Sequence, residues 1–156
     1  ATEEAQEHDP KVIIEAGVDG REIEIAVLGS QTGPARTTLP GEIVVGGDHE
    51  FYTYEAKYFD EDAADLVWPA ELPEETAARA RDLAVESFEA LSCEGLARVD
   101  LFYVDGGDLL VNEVNTMPGF TPFSMYPLMW QRSGLSYTEL ITELIDLALA
   151  RPKGLR

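Results

Sequence analysis

The stretch LARVDLFYVDGGDLLVNEVN, residues 96–115, decides how this chain folds. Two apolar runs, Leu96–Val104 and Leu109–Asn115, flank the tetrapeptide Asp105-Gly106-Gly107-Asp108. Adjacent glycines accept the positive φ angles of a tight turn, so the spacing predicts a β-hairpin. With symmetry about the glycine pair, Asp105 faces Asp108, Val104 faces Leu109, Asp100 faces Glu113 and Arg98 faces Asn115. Side chains alternate along a strand, so Arg98, Asp100, Glu113 and Asn115 leave the hairpin from one face.

That arrangement brings two carboxylates to about 5 Å apart, with a guanidinium and an amide beside them. One reading is a solvated face on which Arg98 bridges two acids. The other is an oxygen ligand set for magnesium, which completes its shell with water or substrate phosphates. A one-residue slip in register would dissolve the cluster. The residues that follow favour the ligand set. Asn115-Thr116-Met117-Pro118-Gly119-Phe120 leaves the strand through a Pro-Gly turn that exposes backbone amides just past the acids. Amides so placed suit a developing oxyanion.

Upstream, Val12–Glu15 and Arg21–Leu28 read as strands joined by a turn, Ala16–Gly20. Ile23, Ile25 and Val27 alternate with Glu22, Glu24 and Ala26, which gives the second strand one apolar face. Residues 31–41 hold two prolines and two glycines and read as a loop, followed by a short strand, Glu42–Val45. The polar and aromatic segment 46–62 is long for a connection, and loops of that length often act as lids.

Pro73 followed by Glu74 and Glu75 marks a helix start, with Ala80, Ala84, Phe88 and Leu91 as its apolar stripe. Ser136 and Glu139 make a capping-box pattern that opens a last helix to about Ala150. Its Leu140, Ile141, Leu144, Leu147 and Ala148 recur at helical spacing and read as core. Strands paired antiparallel and mixed with helices indicate an α+β domain, mainly an antiparallel sheet with flanking helices.

Composition narrows the partners. The 156 residues suit one domain, and 45% hydrophobic content suffices for a core. A formal charge of −19 argues against nucleic acid, whose phosphates call for clustered Lys and Arg. It also means that a nucleotide must be received through divalent cations and a few well-placed bases. Cys93 is the single cysteine and reads as a small core residue, while His8 and His49 form no zinc signature. No apolar run has the length of a membrane span, so a reducing, cytoplasmic setting without membrane contact is expected. The chain begins without Met and with no signal-peptide layout, and is expected to be part of a longer protein.

Three segments carry a family resemblance. Residues 95–100 (GLARVD) and 112–121 (NEVNTMPGFT) are similar to the magnesium-site segments of D-alanine–D-alanine ligases, which are ATP-grasp enzymes. Residues 54–58 (YEAKY) resemble that family's substrate-covering loop. Order and spacing agree from about residue 10 to 150, so the resemblance implies the ATP-grasp C-terminal domain across residues 1–156. It implies that Asp100, Glu113 and Asn115 hold two magnesium ions, with manganese as a substitute, that bridge the phosphates of ATP. Arg98 would stabilise the transferring phosphoryl group, and the Gly119 amide would donate to the oxyanion. Ser124 would bind the carboxylate of the second D-alanine. Lys57 would reach the phosphates or that carboxylate, while Tyr58 closes over the substrates. Glu15, Ala16 and Val18 would border the adenine, Glu22 would bind the ribose, and Phe102 would lie under the base. Read without the resemblance, Glu22 is a solvated strand acid and Phe102 a core residue. Some relatives carry lysine at the position of Ala16, so only a backbone contact transfers there. Trp68 and Trp130 are assigned to packing.

The implied reaction joins two D-alanines through an acyl phosphate, for peptidoglycan synthesis. The family's N-terminal half is missing, so residues 1–156 alone are expected to bind Mg-nucleotide weakly and to make no dipeptide. A homodimer is typical of the family. Three alternatives stand beside this: a ligase taking D-lactate or D-serine as acceptor, another ATP-grasp carboxylate–amine ligase, and a non-catalytic Mg-nucleotide-binding module.

Overall fold

The structure is a computed structural model that describes residues 2–30, 33–45, 64–122 and 124–152. Its elements are α1 (Thr2–Gln6), β1 (Gly20–Ser30), β2 (Gly33–Thr37), β3 (Gly41–Val45), β4 (Ala64–Val67), α2 (Glu74–Ala90), β5 (Gly95–Val104), β6 (Leu109–Asn115), α3 (Met125–Arg132) and α4 (Tyr137–Ala150). The sheet runs β4-β3-β1-β5-β6, with β2 paired to the same edge of β1 as β3. Every pairing is antiparallel. No helix among the described residues is long and apolar enough to cross a membrane.

β1 is the centre because it has partners along its whole length. It pairs with β5 from Gly20↔Val104 to Gly29↔Gly95. On its other edge, β3 serves Glu22–Glu24 and β2 serves Val27–Ser30. Thr38 closes the gap between them: its amide donates to the Ala26 carbonyl at 3.1 Å, and its hydroxyl accepts from the Ala26 amide at 3.2 Å. That buried backbone therefore stays satisfied where the neighbouring strand changes.

One face of the sheet is covered by α2. Its Ala80, Ala84 and Phe88, four residues apart, pack on Ile23, Ile25, Val27, Ala97, Val99 and Leu101. A fully buried Ile, Leu or Phe side chain contributes roughly 1.5–3 kcal/mol, so this layer contributes substantially to stability. On the opposite face, among the described residues, Tyr126, Met129 and Trp130 of α3 and Leu140 of α4 pack on Ala26 and Leu28 at one end. The capping box at α4 forms as the spacing predicts: Ser136 Oγ accepts from the Glu139 amide, and Glu139 accepts from the Ser136 amide at 2.9 Å. Leu135 and Leu140, on either side of that cap, join the same cluster as a hydrophobic staple.

Leu91, expected in the stripe of α2, is its C-cap and 62% exposed, and Ile141 and Ala148, expected in the core, are exposed on α4. Further readings need correction. Residues 12–15 form no strand; Ile13 and Ile14 are 75% and 79% exposed, so their apolar side chains do not join a core. Residues 33–37 are a strand and not loop, because β1 offers unpaired backbone there and Pro34 is tolerated on an edge. The apolar face of β1 forms as the alternation predicts, with Ile23, Ile25 and Val27 in the core, and burial from Ile23 through Gly29 covers its other face as well. The hairpin is not symmetric about the glycine pair. Tyr103 faces Leu109, and Val104 donates its amide to Asp108, so the turn spans Asp105, Gly106 and Gly107. Both glycines take the positive φ that such a turn demands, 98° and 94°. A β-bulge between Asp100 and Leu101 then absorbs the extra residue. The segment 46–62, read as a long loop, lies outside the described residues.

Candidate functional site

The bulge sets the register at the far end of the hairpin, where Asp100 faces Glu113 and Arg98 faces Asn115, as the sequence predicts. On the other side of β5, Glu24 of β1 faces Asp100. Three acids therefore form a row across β1, β5 and β6, on the part of the sheet that α3 and α4 leave uncovered.

Arg98 lies across that row. Its Nε and Nη2 donate to the two carboxylate oxygens of Asp100, both at 2.7 Å. Nε is 3.2 Å from Glu24 Oε1, and Nη2 is 3.7 Å from Glu113 Oε1. Side-chain exposure falls from 52% at Glu113 and 14% at Asp100 to 5% at Glu24 and 4% at Arg98. Burial alone would lower the pKa of the Arg98 guanidinium. The Asp100 hydrogen bonds and the charges of Glu24, Asp100 and Glu113 outweigh it and raise the pKa, so Arg98 stays charged. Three carboxylates against one guanidinium leave the cluster with a formal excess of negative charge.

The donors fit magnesium in kind: carboxylate oxygens of Asp100 and Glu113 and the amide oxygen of Asn115, with no soft ligand among them. Among the described residues no three His, Cys, Asp or Glu side chains converge tightly enough to hold an ion by themselves. Magnesium tolerates such a partial set, since it retains water and substrate oxygens. Asn115 Oδ1 also accepts from the Met117 amide at 3.1 Å, which fixes how the chain leaves β6.

Beside the row, a broad cleft is lined by Glu15, Ala16, Val18, Glu22 and Phe102, so the five residues assigned to the adenine and ribose share one space. Glu22 faces Phe102 across β1 and β5. Both also line the smaller cleft that contains Glu24, Asp100 and Glu113, which makes the two spaces continuous. Gly119 and Ser124 lie together beyond β6. A Cβ on Gly119 would approach Ser124 Oγ to 3.0 Å, so glycine permits this contact. Ser124 is the N-cap of α3, and its Oγ accepts from the Thr121 amide at 3.0 Å. Trp130 of α3 is 5% exposed in the cluster between α3, α4 and the sheet, and Trp68 packs against that cluster. Lys57 and Tyr58 lie outside the described residues. Glu24 is the residue that alternation misses. It reads as one more solvated acid, and only the second buried face of β1 reveals it.

The family model described as D-ala D-ala ligase C-terminus matches residues 1–146. The chain belongs to this family. A D-alanine–D-alanine ligase of Pseudarthrobacter chlorophenolicus is 61% identical over all of this chain and 41% of its own length. One from Streptomyces avermitilis is 53% identical, over 100% of this chain and 40% of its own. The chain thus spans about two fifths of the ligases it matches. Among solved structures, the D-alanine–D-alanine ligase from Coxiella burnetii has 38% identity and a TM-score of 0.71, over 86% of this chain and 33% of that one. A D-alanine–D-alanine ligase from Bacillus anthracis complexed with ATP has 27% identity and a TM-score of 0.69, over 86% and 40%. The α+β fold expected for the ligase C-terminus, an antiparallel sheet with flanking helices, is the fold observed.

Proposed function

We propose that residues 1–156 are the nucleotide- and metal-handling C-terminal part of a longer, ATP-dependent D-alanine–D-alanine ligase serving peptidoglycan synthesis. The observation that carries this is the buried Arg98 bridging acids on three adjacent strands beside the Glu22–Phe102 cleft. A solvated face would not bury a guanidinium to 4% exposure.

In this reading Asp100, Glu113 and Asn115 hold two magnesium ions, or manganese in their place. Bound there, the ions supply charge neutralisation at the phosphates of ATP, which a chain of net charge −19 could not otherwise approach. Glu15, Ala16, Val18, Glu22 and Phe102 orient the base and ribose. Arg98 faces the negative charge that develops as the carboxylate of the first D-alanine takes the γ-phosphoryl group. The Gly119 amide donates to the oxyanion formed when the amine of the second D-alanine attacks the acyl phosphate and releases phosphate. Ser124 takes the carboxylate of that second D-alanine at the start of α3, where backbone amides and the helix dipole favour an anion. Lys57 and Tyr58 act from the covering segment, and excluding water preserves the acyl phosphate. Positioning and charge neutralisation thus do most of the work.

The enzyme is proposed to be a cytoplasmic homodimer that binds neither nucleic acid nor membrane. A D-Ala:D-Ser ligase from Enterococcus faecalis has 34% identity and a TM-score of 0.71, so the fold does not discriminate between acceptors. Names among the more similar relatives, at 53–61% identity, favour D-alanine. The test is D-alanine-dependent phosphate release from ATP by the full-length protein, with D-lactate and D-serine inactive. Residues 1–156 alone should release none. Asp100→Ala should abolish magnesium-dependent ADP binding; unchanged binding would reduce the cluster to a surface feature.

A further inference from the structure

Arg98 holds both carboxylate oxygens of Asp100, the residue to which the proposed function assigns a divalent cation. A cation arriving at Asp100 shares that carboxylate's charge with Arg98 and repels the guanidinium, which weakens its hold there. The guanidinium is only 4% exposed and cannot turn to water. A buried charge that loses its partner is strongly destabilising, so another carboxylate must compensate it. Glu113 lies on β6 and belongs to the ligand set itself. Glu24 lies on β1, the opposite flank of Asp100, at 3.2 Å from Arg98 Nε and as deeply buried as Arg98. Within this cluster it is the carboxylate not committed to the cation.

Resting on the proposed function, we propose that Glu24 is a positioning residue. It retains the Arg98 guanidinium in the site when a divalent cation takes Asp100, so that Arg98 remains aimed at the transferring phosphoryl group. In this role Glu24 acts through Arg98. Neutralising it leaves Arg98 dependent on Asp100 and Glu113, which strengthens its competition with the cation.

The experiment is a double-mutant cycle in the full-length ligase, read by Mn2+ binding in the presence of ADP and by steady-state kinetics. Glu24→Gln should weaken Mn2+ binding by about tenfold or more, the range seen when a residue supporting metal ligands is lost. It should lower kcat while leaving the KM for ATP unchanged. The deciding result is coupling to Arg98. In an Arg98→Met background, Glu24→Gln should weaken Mn2+ binding by a factor more than about twofold smaller than in the parent. Equal effects in the two backgrounds would mean that Glu24 acts on the cation as a simple charge, and would overturn the inference. If Arg98→Met does not unfold cooperatively, Arg98→Lys replaces it, because lysine cannot span Asp100 and Glu24 together. Asp100→Asn in the same titration separates the two proposals. Retained Mn2+ affinity there would defeat the metal reading itself. Lost affinity there, with equal effects for Glu24→Gln, would defeat only the role of Glu24.

Discussion

Two neighbouring regions on one side of the sheet are buried by different means. At one end of β1 and β5, Ala26, Leu28 and Leu96 lie beneath Tyr126, Met129 and Trp130. Further along the same strands, Glu24, Arg98 and Asp100 lie outside that apolar cluster, yet Glu24 and Arg98 are each 4% exposed. The apolar end is kept from water by a roof. The charged end is closed by its own pairing, guanidinium against carboxylates. Apolar burial contributes roughly 1.5–3 kcal/mol per large side chain, whereas a buried ion cluster about breaks even against an apolar replacement. Stability alone gives no reason for the charged end, and an open surface beside a cleft gives a chemical one.

The strongest way to break this comparison is Arg98→Met in the full-length ligase. It leaves Glu24 and Asp100 without their shared counter-charge, and should cost about 3–5 kcal/mol. Phosphoryl transfer should slow by about 10³-fold, as when another arginine that stabilises this transition state is removed. Adding Glu24→Leu and Asp100→Leu should return most of the stability and none of the activity. Urea unfolding and turnover measure the two effects. An Arg98→Met protein as stable as the parent would show that the charged end is not closed by pairing.

The next test concerns the far side of the sheet. Phe88 is 2% exposed where α2 meets β1 and β5. Phe88→Ala should cost about 3 kcal/mol through lost burial and the cavity left behind. Since α2 covers the face opposite the cleft, the KM for ATP should stay within a small factor. A large rise in KM would mean that packing under the sheet sets the cleft, and that its two faces are not independent.

How much of this was legible follows the same division. α2 and α4 could be read because their starts carry Pro73 and Ser136–Glu139 and their apolar residues repeat at helical spacing. The hairpin could be read from its two runs and the glycine pair. Its site register came out right because the β-bulge restores the residue that the longer turn removes. Neither was visible alone. β2 was lost because Gly33 and Pro34 imitate a loop, and its strand state comes from the unpaired edge of β1. α3 was lost because it has eight residues with Pro127 in its first turn, and owes its place to Tyr126, Met129 and Trp130 packing on the sheet. Glu24 was lost for the same kind of reason. Alternation tells which side a residue faces, but what lies on that side is decided by elements distant in sequence.

The smallest expected effect lies farthest from the charged row, at the start of α4. Ser136→Ala removes the hydroxyl that accepts from the Glu139 amide, and should cost roughly 1 kcal/mol. The hydrogen bonds from the Ser136 side chain and amide hold the Glu139 carboxyl below its ordinary pKa of 4.5. A carboxylate with a lowered folded-state pKa stabilises the fold above its unfolded value, and that contribution is lost as pH falls through the folded one. The gap between parent and Ser136→Ala should therefore be full at neutral pH and narrow below 4.5. Denaturant unfolding at neutral and acidic pH measures it. Turnover at neutral pH should not change, because α4 roofs the apolar end of the sheet. A route to a different result runs through Tyr137, whose hydroxyl donates to the Phe120 carbonyl at 2.8 Å, next to Gly119. A fall in kcat for Ser136→Ala with an unchanged KM for ATP would trace that route. It would join the roofed end of the sheet to the proposed oxyanion turn, and the two regions would no longer be separable.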